Sequence, residues 1–357
     1  MKKKIRLALI FGGKSEEHEV SLMSARNIYQ ALDKKRYDIT LIGIGKSGRW
    51  LPITEQVLIN YSYDTKATLD SYQKKSTVTL SPAMSQLSVS QGITAIDVVF
   101  PVLHGPYGED GAVQGLLKLM DVPFVGAGVL GSAVGMDKDV MKRLLRDAGL
   151  PIGRFEVVKS HQAMPSFAQM KKCLGLPLFI KPANLGSSVG VSRVTKQLEY
   201  QLALKKAFQY DTKVLIEEYI EGREIECAVL GNDTPQASLP GEVITNTTHH
   251  TFYSYEAKYL DESGAAIAIP AKLSQKQIKE VRQLAVRVFQ ALCCEGMGRV
   301  DFFLKADGSF VVNEINTIPG FTNISMYPKL WEISGIDYKT LLDTLIQLAL
   351  ERARRAQ

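Results

Sequence analysis

Apolar and polar positions follow two rhythms along this chain, and the switches between them lay out its elements. An apolar run from Ile5 to Phe11 stops at Gly12-Gly13-Lys14-Ser15, and Glu16 to Leu32 then keeps helical spacing, with acidic residues in the first turn. That reads as strand, glycine loop and helix. Tyr37 to Ile44 and Ile96 to Leu103 give two further strands, the second running into His104-Gly105-Pro106-Tyr107-Gly108-Glu109-Asp110-Gly111. Strands alternating with helices predict a parallel, Rossmann-like sheet in an α/β protein. Ligands of such sheets bind beyond the carboxyl ends of the strands, where both glycine-rich loops fall. From about Ile53 to Gly92 the chain is polar without a clear period, and no function is read there.

A second block opens near Gly126. It carries a predicted helix over Asp137 to Ala148, stopped by Gly149 and Pro151, and a short strand over Leu178 to Lys181. Pro182 to Gly190 is rich in Gly and Ser and lies between apolar strands, which predicts a mobile hairpin loop able to bring N–H groups close to phosphate oxygens. Strands follow over Lys213 to Glu218 and Ile225 to Val229. The third block holds a polar loop from Thr245 to Asp261, an amphipathic helix over Gln275 to Leu292 and a C-terminal helix over Tyr338 to Arg352.

Inside this third block, Val- and Phe-rich runs flank Asp307-Gly308, a dipeptide suited to a two-residue type I′ turn. Counting back from that turn sets Asp301 opposite Glu314 and Arg299 opposite Asn316, with all four on one face. Carboxylates facing each other at roughly 5 Å repel, so the pattern asks for a cation. Oxygen donors from Asp, Glu and Asn suit Mg²⁺ shared with substrate phosphates. An exposed edge hairpin with scattered charges is the alternative.

Composition narrows the classes. At 357 residues there is room for about two to three domains, and 45% hydrophobic with 22% charged residues is ordinary for a globular protein. The net charge of +6 is spread along the chain apart from Lys2-Lys3-Lys4, which favours small anionic ligands over nucleic acid. Four cysteines without zinc-like spacing point to a reducing cytoplasm. The N-terminal apolar run, interrupted by Arg6 and ended by Gly12-Gly13, is too short for a signal peptide, and no stretch reaches the roughly 18 apolar residues of a membrane helix. A cytoplasmic, soluble protein is expected.

Local motifs are individually weak. Gly12-Gly13-Lys14-Ser15 lacks the first glycine of a P-loop, and no G-x-G-x-x-G is present. Lys181 ends an apolar strand just before the Gly/Ser loop, a place for a point charge on phosphate, although a strand-end lysine is more often solvated. Lys138 is weaker still. Glu217-Glu218 ends a strand, either as a partner for an adenine amino group or as a plain polar strand end.

Taken together, these stretches resemble a known family. Lys181 to Gly190, Glu256-Ala257-Lys258-Tyr259, Arg299-Val300-Asp301, Asn313 to Gly320, Gly12 to Ser21 and His104 to Gly111 are similar, in order, to the motifs of the D-alanine:D-alanine ligases of the ATP-grasp superfamily. The resemblance implies an ATP-grasp fold of three domains: a substrate domain over 1–125, a central subdomain over 126–219 and a catalytic domain over 220–357. It implies that ATP phosphorylates the carboxylate of one D-alanine and that the amine of a second attacks the acylphosphate, for peptidoglycan precursor synthesis. Asp301, Glu314 and Asn316 would hold two Mg²⁺ ions, with Mn²⁺ as a substitute. Arg299 and the Gly320 N–H would stabilise the oxyanion of the tetrahedral intermediate. Lys138, Lys181 and Lys258 would meet the phosphates beside Ser188, Glu217 with Glu218 and Ile220 the adenine, and Glu224 the ribose. Glu17 would pair with the first ammonium and form a hydrogen-bonded set with Ser187 and Tyr259 that closes the loop over the site. Ser325 would hold the second carboxylate, and His104 would lie near the first substrate. Tyr259 favours a dipeptide over a D-lactate ester; D-serine as second substrate, or another carboxylate–amine pair, stays open. A homodimer without nucleic-acid or membrane partners is expected.

Overall fold

The structure is a computed structural model and describes residues 3–61, 69, 78–81, 86–89, 92–245 and 265–355. Its first sheet places Ile5–Gly12 parallel between Tyr37–Ile44 and Val98–Val102, with Trp50–Pro52 antiparallel at the edge. The unbroken apolar run from Leu7 to Phe11 in the first strand has a direct cause. Leu7, Leu9 and Phe11 enter one core while Ala8 and Ile10 enter another, so both faces of the strand are covered. Beyond it the chain turns sharply at Gly12, whose φ is +93° and where a Cβ would lie 2.2 Å from Ile44 O. The helix His18–Ala31 then follows.

A second, antiparallel sheet orders Ser192–Val194, Leu178–Pro182, Lys213–Glu218 and Phe155–Lys159. The Gly/Ser stretch is the connection of its first hairpin, as expected. The helices Phe167–Leu174 and Gln197–Ala207 pack on this sheet; neither is foreseen above, although Ser166 and Gln169 form a capping box legible as S-x-x-Q. The third sheet runs Ala265–Ala268, Gly241–Thr245, Arg223–Gly231, Gly296–Leu304, Phe310–Asn316. Against it lies Gln275–Ala291, whose Val281, Ala285 and Val288 are wholly buried at the predicted helical spacing.

The C-terminal helix Tyr338–Arg355 returns to the first sheet, adding Leu341, Leu342, Leu345 and Ile346 to the core that holds Leu7 and Phe100. Arg352 near its end donates to Phe124 O at 2.7 Å and Gly126 O at 2.5 Å. These contacts hold the first sheet and the third in one packed body, which fixes the loops at their edges relative to each other.

Two expectations need correction. Part of the stretch read as patternless forms a small antiparallel sheet of Val78–Ser81, Gln86–Val89 and Gly92–Ala95. Val78-Thr79-Leu80-Ser81 does alternate apolar and polar residues, but over too few positions to stand out. The turn of the Arg299–Asn316 hairpin is also longer than expected. Lys305 N donates to Ser309 O and Gly308 N to Lys305 O, so Ala306, Asp307 and Gly308 form a three-residue loop with Gly308 at φ +84°. The register at the site nevertheless holds, with Arg299 facing Asn316 and Asp301 facing Glu314, because a bulge intervenes between Asp301 and Phe302.

Candidate active site

A cleft of about 460 Å³ lies between the second and third sheets. At one end Asp137 caps the helix Lys138–Asp147, accepting from the N–H groups of Asp139 and Val140 at 3.1 Å each. Lys138 and Lys142 stand one turn apart on this helix and so share a face. The Lys142 ammonium lies 3.0 Å from one Glu217 oxygen, and that of Lys181, on the adjacent strand, 2.6 Å from the other. Burial pushes the Glu217 carboxyl up, but the two ammoniums outweigh it and hold the group below its ordinary pKa. Burial in turn lowers Lys142, with Glu217 opposing.

Lys138 donates to Leu185 O at 2.6 Å and lies 3.5 Å from Glu314, so it joins the Gly/Ser loop to the carboxylate hairpin. Ile220 and Glu224 line the same cleft. Glu218 differs from its neighbour. Successive strand residues point to opposite faces, and its carboxylate accepts from Arg154 N at 2.8 Å and Arg154 Nε at 2.6 Å. Glu218 also lines the cleft, with its carboxylate held by Arg154.

Across the Gly/Ser loop stands Glu17, immediately before the first helix. Ser187 Oγ donates to it from a backbone at φ +50°, with Ser188 next at +60°, a conformation such residues adopt only when their surroundings enforce it. A Cβ at Gly186 would lie 3.1 Å from Glu17 Oε2 and one at Gly105 3.0 Å, so glycines on two separate loops leave room for this carboxylate. His104 is buried, its Nδ1 2.9 Å from Ile318 O and its Nε2 without a hydrogen-bond partner among the described residues; burial lowers its pKa. Because a carbonyl only accepts, the proton is assigned to Nδ1.

Glu109 straps these loops together. One of its oxygens accepts from Gly105 N at 2.8 Å and the other from Ile318 N at 2.9 Å, while burial, followed by the nearby Glu17 charge, pushes its carboxyl up to about 7. Two residues beyond Ile318 comes Gly320, where a Cβ would lie 2.7 Å from Ser325 Oγ. Ser325 begins the helix Met326–Ile333 and accepts from Thr322 N at 2.9 Å.

On the hairpin, Arg299 grips Asp301 through two 2.7 Å bonds and reaches Glu226 at 2.9 Å, while Asn316 Nδ2 donates to Asp301 at 2.9 Å. Among the described residues, Arg299 and Lys138 are the cations that compensate the facing carboxylates. Among the described residues no three His, Cys, Asp or Glu gather as a self-sufficient metal site. The donor set still fits Mg²⁺. Two hard carboxylates and an amide meet on one face, and an ion that keeps waters and shares phosphate oxygens needs only one or two protein carboxylates.

Three participants were not foreseen: Lys142, Glu109 and Glu226. Lys142 is signalled by its i, i+4 spacing from Lys138, whereas the pairings of Glu109 with Ile318 and of Glu226 with Arg299 are long-range and leave no local trace. Lys258 and Tyr259, with the loop that carries them, lie outside the described residues.

A cleft between two sheets that gathers lysines, a Gly/Ser loop and hard oxygen donors fits the ATP-grasp class of enzymes. Solved structures bear this out: the D-alanine–D-alanine ligase of Coxiella burnetii superposes with a TM-score of 0.87 at 39% identity, covering 99% of this chain and 96% of that one. A D-Ala:D-Ser ligase from Enterococcus faecalis gives 0.86 at 35% identity, over 97% and 100%. The family profile for the D-ala D-ala ligase N-terminus matches residues 6–127, and that for the C-terminus residues 144–347. A D-alanine–D-alanine ligase A of Chromobacterium violaceum is 51% identical over 356 residues, covering 98% of this chain and 96% of its own. That of Escherichia coli K12 is 49% identical with the same coverage. The chain belongs to the D-alanine–D-alanine ligase family.

Proposed function

We propose that this cleft joins two D-alanine molecules into D-alanyl-D-alanine, with ATP converted to ADP and phosphate, as a step of peptidoglycan precursor synthesis. The observation that carries the reading is the convergence at Lys138. Its ammonium contacts both the Gly/Ser loop and Glu314, so phosphate-binding backbone, cation and hard carboxylates meet at one point, with Glu17 across the loop.

A carboxylate is a poor electrophile, and its phosphorylation supplies a leaving group; the protein's part is to position and neutralise. Lys138 and Lys181, with Lys258, take the phosphates beside the backbone of Ser188. Glu217 and Ile220 face the adenine, and Glu224 the ribose. Asp301, Glu314 and Asn316 hold two divalent ions, Mg²⁺ or Mn²⁺. Such ions, when bound, neutralise charge on the phosphates. Glu17, fixed by Ser187, receives the first ammonium with His104 nearby, and Tyr259 joins that set. Arg299 keeps Glu226 as an anchor apart from Asp301, which leaves its guanidinium able to meet the oxyanion together with the Gly320 N–H. Ser325 takes the second carboxylate.

The same reading proposes domains over 1–125, 126–219 and 220–357, a homodimer and a cytoplasmic location without nucleic-acid or membrane partners. Among the described residues no helix is long and apolar enough to cross a membrane. Mass identification of the product from D-alanine mixed with D-serine and D-lactate tests the substrate. D-alanyl-D-alanine is expected; predominant D-alanyl-D-serine would transfer the assignment to the D-serine class represented by the Enterococcus faecalis structure. Equal turnover of L-alanine, or none of D-alanine, would refute it.

A further inference from the structure

We infer that Lys142 is a positioning residue for the nucleotide, keeping Glu217 paired and turned to the base while Lys181 is drawn to the phosphates. The inference rests on the reading of the cleft as an ATP site, and it assigns a function to a lysine the reaction itself does not use.

The geometry is a shared carboxylate. Glu217 is 8% exposed, and each of its oxygens has its own ammonium, Lys142 at 3.0 Å and Lys181 at 2.6 Å. The two lysines are not equivalent. Lys181 stands on Leu178–Pro182, the strand that runs directly into the Gly/Ser loop, so a phosphate cradled by that loop competes with Glu217 for its charge. Lys142 sits within the helix that begins at Lys138, its side chain 3% exposed, with the Phe155 ring 5.6 Å from its ammonium. The ring face on one side and Glu217 on the other hold that charge in place.

A buried carboxylate stripped of its only cation carries a large desolvation penalty. With Lys142 in place, Lys181 can turn to a phosphate and Glu217 stays paired. Without it, binding the phosphates orphans Glu217, or keeping Glu217 paired forfeits the phosphates. Lys142 therefore matters to ligands that carry phosphate and much less to a bare nucleoside.

Calorimetric titration of the full-length protein with ADP and with adenosine, both in excess MgCl₂, tests this. If the native protein does not bind ADP, the ATP-site reading itself fails, whatever the role of Lys142. Given native binding, Lys142→Met should lose about tenfold or more in ADP affinity while adenosine binding stays within about twofold. Unchanged ADP affinity, or an equal loss for both ligands as a merely structural lysine would give, overturns the inference. Lys142→Gln carries the same comparison should Lys142→Met not fold. In a Glu217→Gln background, where no charge is left to orphan, the same substitution should cost ADP less than about threefold; an equal cost in both backgrounds also overturns it.

Discussion

Glu109 offers the most quantitative test of how the site is held together. Its carboxyl is raised from 4.5 to about 7, chiefly by burial and next by Glu17, against the opposing pull of the Gly105 and Ile318 N–H groups. Above pH 7 the group is ionised in both states, and holding that charge inside costs the fold about 3 kcal/mol; this is an upper figure because Glu109 keeps some exposure. Below pH 4.5 it is protonated in both states and the cost vanishes. Between those limits the folded state binds more protons than the unfolded, so this contribution to stability is present at low pH and is lost as pH rises through about 7. Glu109→Gln removes the charge but turns one of two acceptors into a donor, a loss of about 1–3 kcal/mol. The variant should match the native protein near pH 8, where the two effects offset, and fall below it by about that loss at pH 5. Urea melts of both proteins at the two pH values measure this as a difference of differences. That form is needed because His104, whose pKa burial lowers, contributes in the opposite sense, losing stability as pH falls. If Glu109→Gln shows the native pH slope, the upward shift and the strap argument are both wrong.

Further outcomes follow from the same geometry. Glu314→Gln should nearly abolish ADP formation while the melting temperature holds, since Lys138 keeps its bond to Leu185 O; near-native turnover would overturn the metal assignment. Gly105→Ala places a Cβ 3.0 Å from Glu17 Oε2 at φ +72°, so a loss of about 1–2 kcal/mol in stability should accompany a raised KM for the first D-alanine, read from steady-state kinetics and a urea melt. Glu218→Gln should leave the KM for ATP unchanged because its carboxylate serves Arg154; a marked rise would restore Glu218 to the nucleotide site.

Much of this site was legible because the chemistry sits where local pattern changes. Glycines and serines after an apolar strand, with Lys181 at its end, pointed to the loop that lines the cleft, although each motif was weak by itself and only their order along the chain carried the resemblance. What stayed hidden depends on partners far along the chain. Nothing near Glu109 says that it will accept from Ile318, and nothing near Glu226 says that it will share Arg299 with Asp301. Glu217 and Glu218 show the limit within two residues. The sequence read them as a pair, whereas strand alternation sends one carboxylate to Lys142 and Lys181 and the other to Arg154.

The hairpin makes the same point about register. A three-residue turn, left to itself, would have set Asp301 opposite Asn313. The bulge inserts one extra residue on the second strand, so Asn313 and Glu314 both line the cleft and Glu314 returns to face Asp301. The reason is visible in the apolar positions. Phe310, Val312 and Ile315 are buried, a step of two followed by a step of three, and strict alternation would have driven the Glu314 carboxylate into the core in place of Ile315. Burying an unpaired carboxylate is far more costly than a local break in the ladder, so the strand bulges. The pairing of Asp301 with Glu314 is thus set by the phase of the buried residues rather than by the turn, and a two-residue turn points to the same carboxylates because the extra turn residue on one side is offset by the bulge on the other.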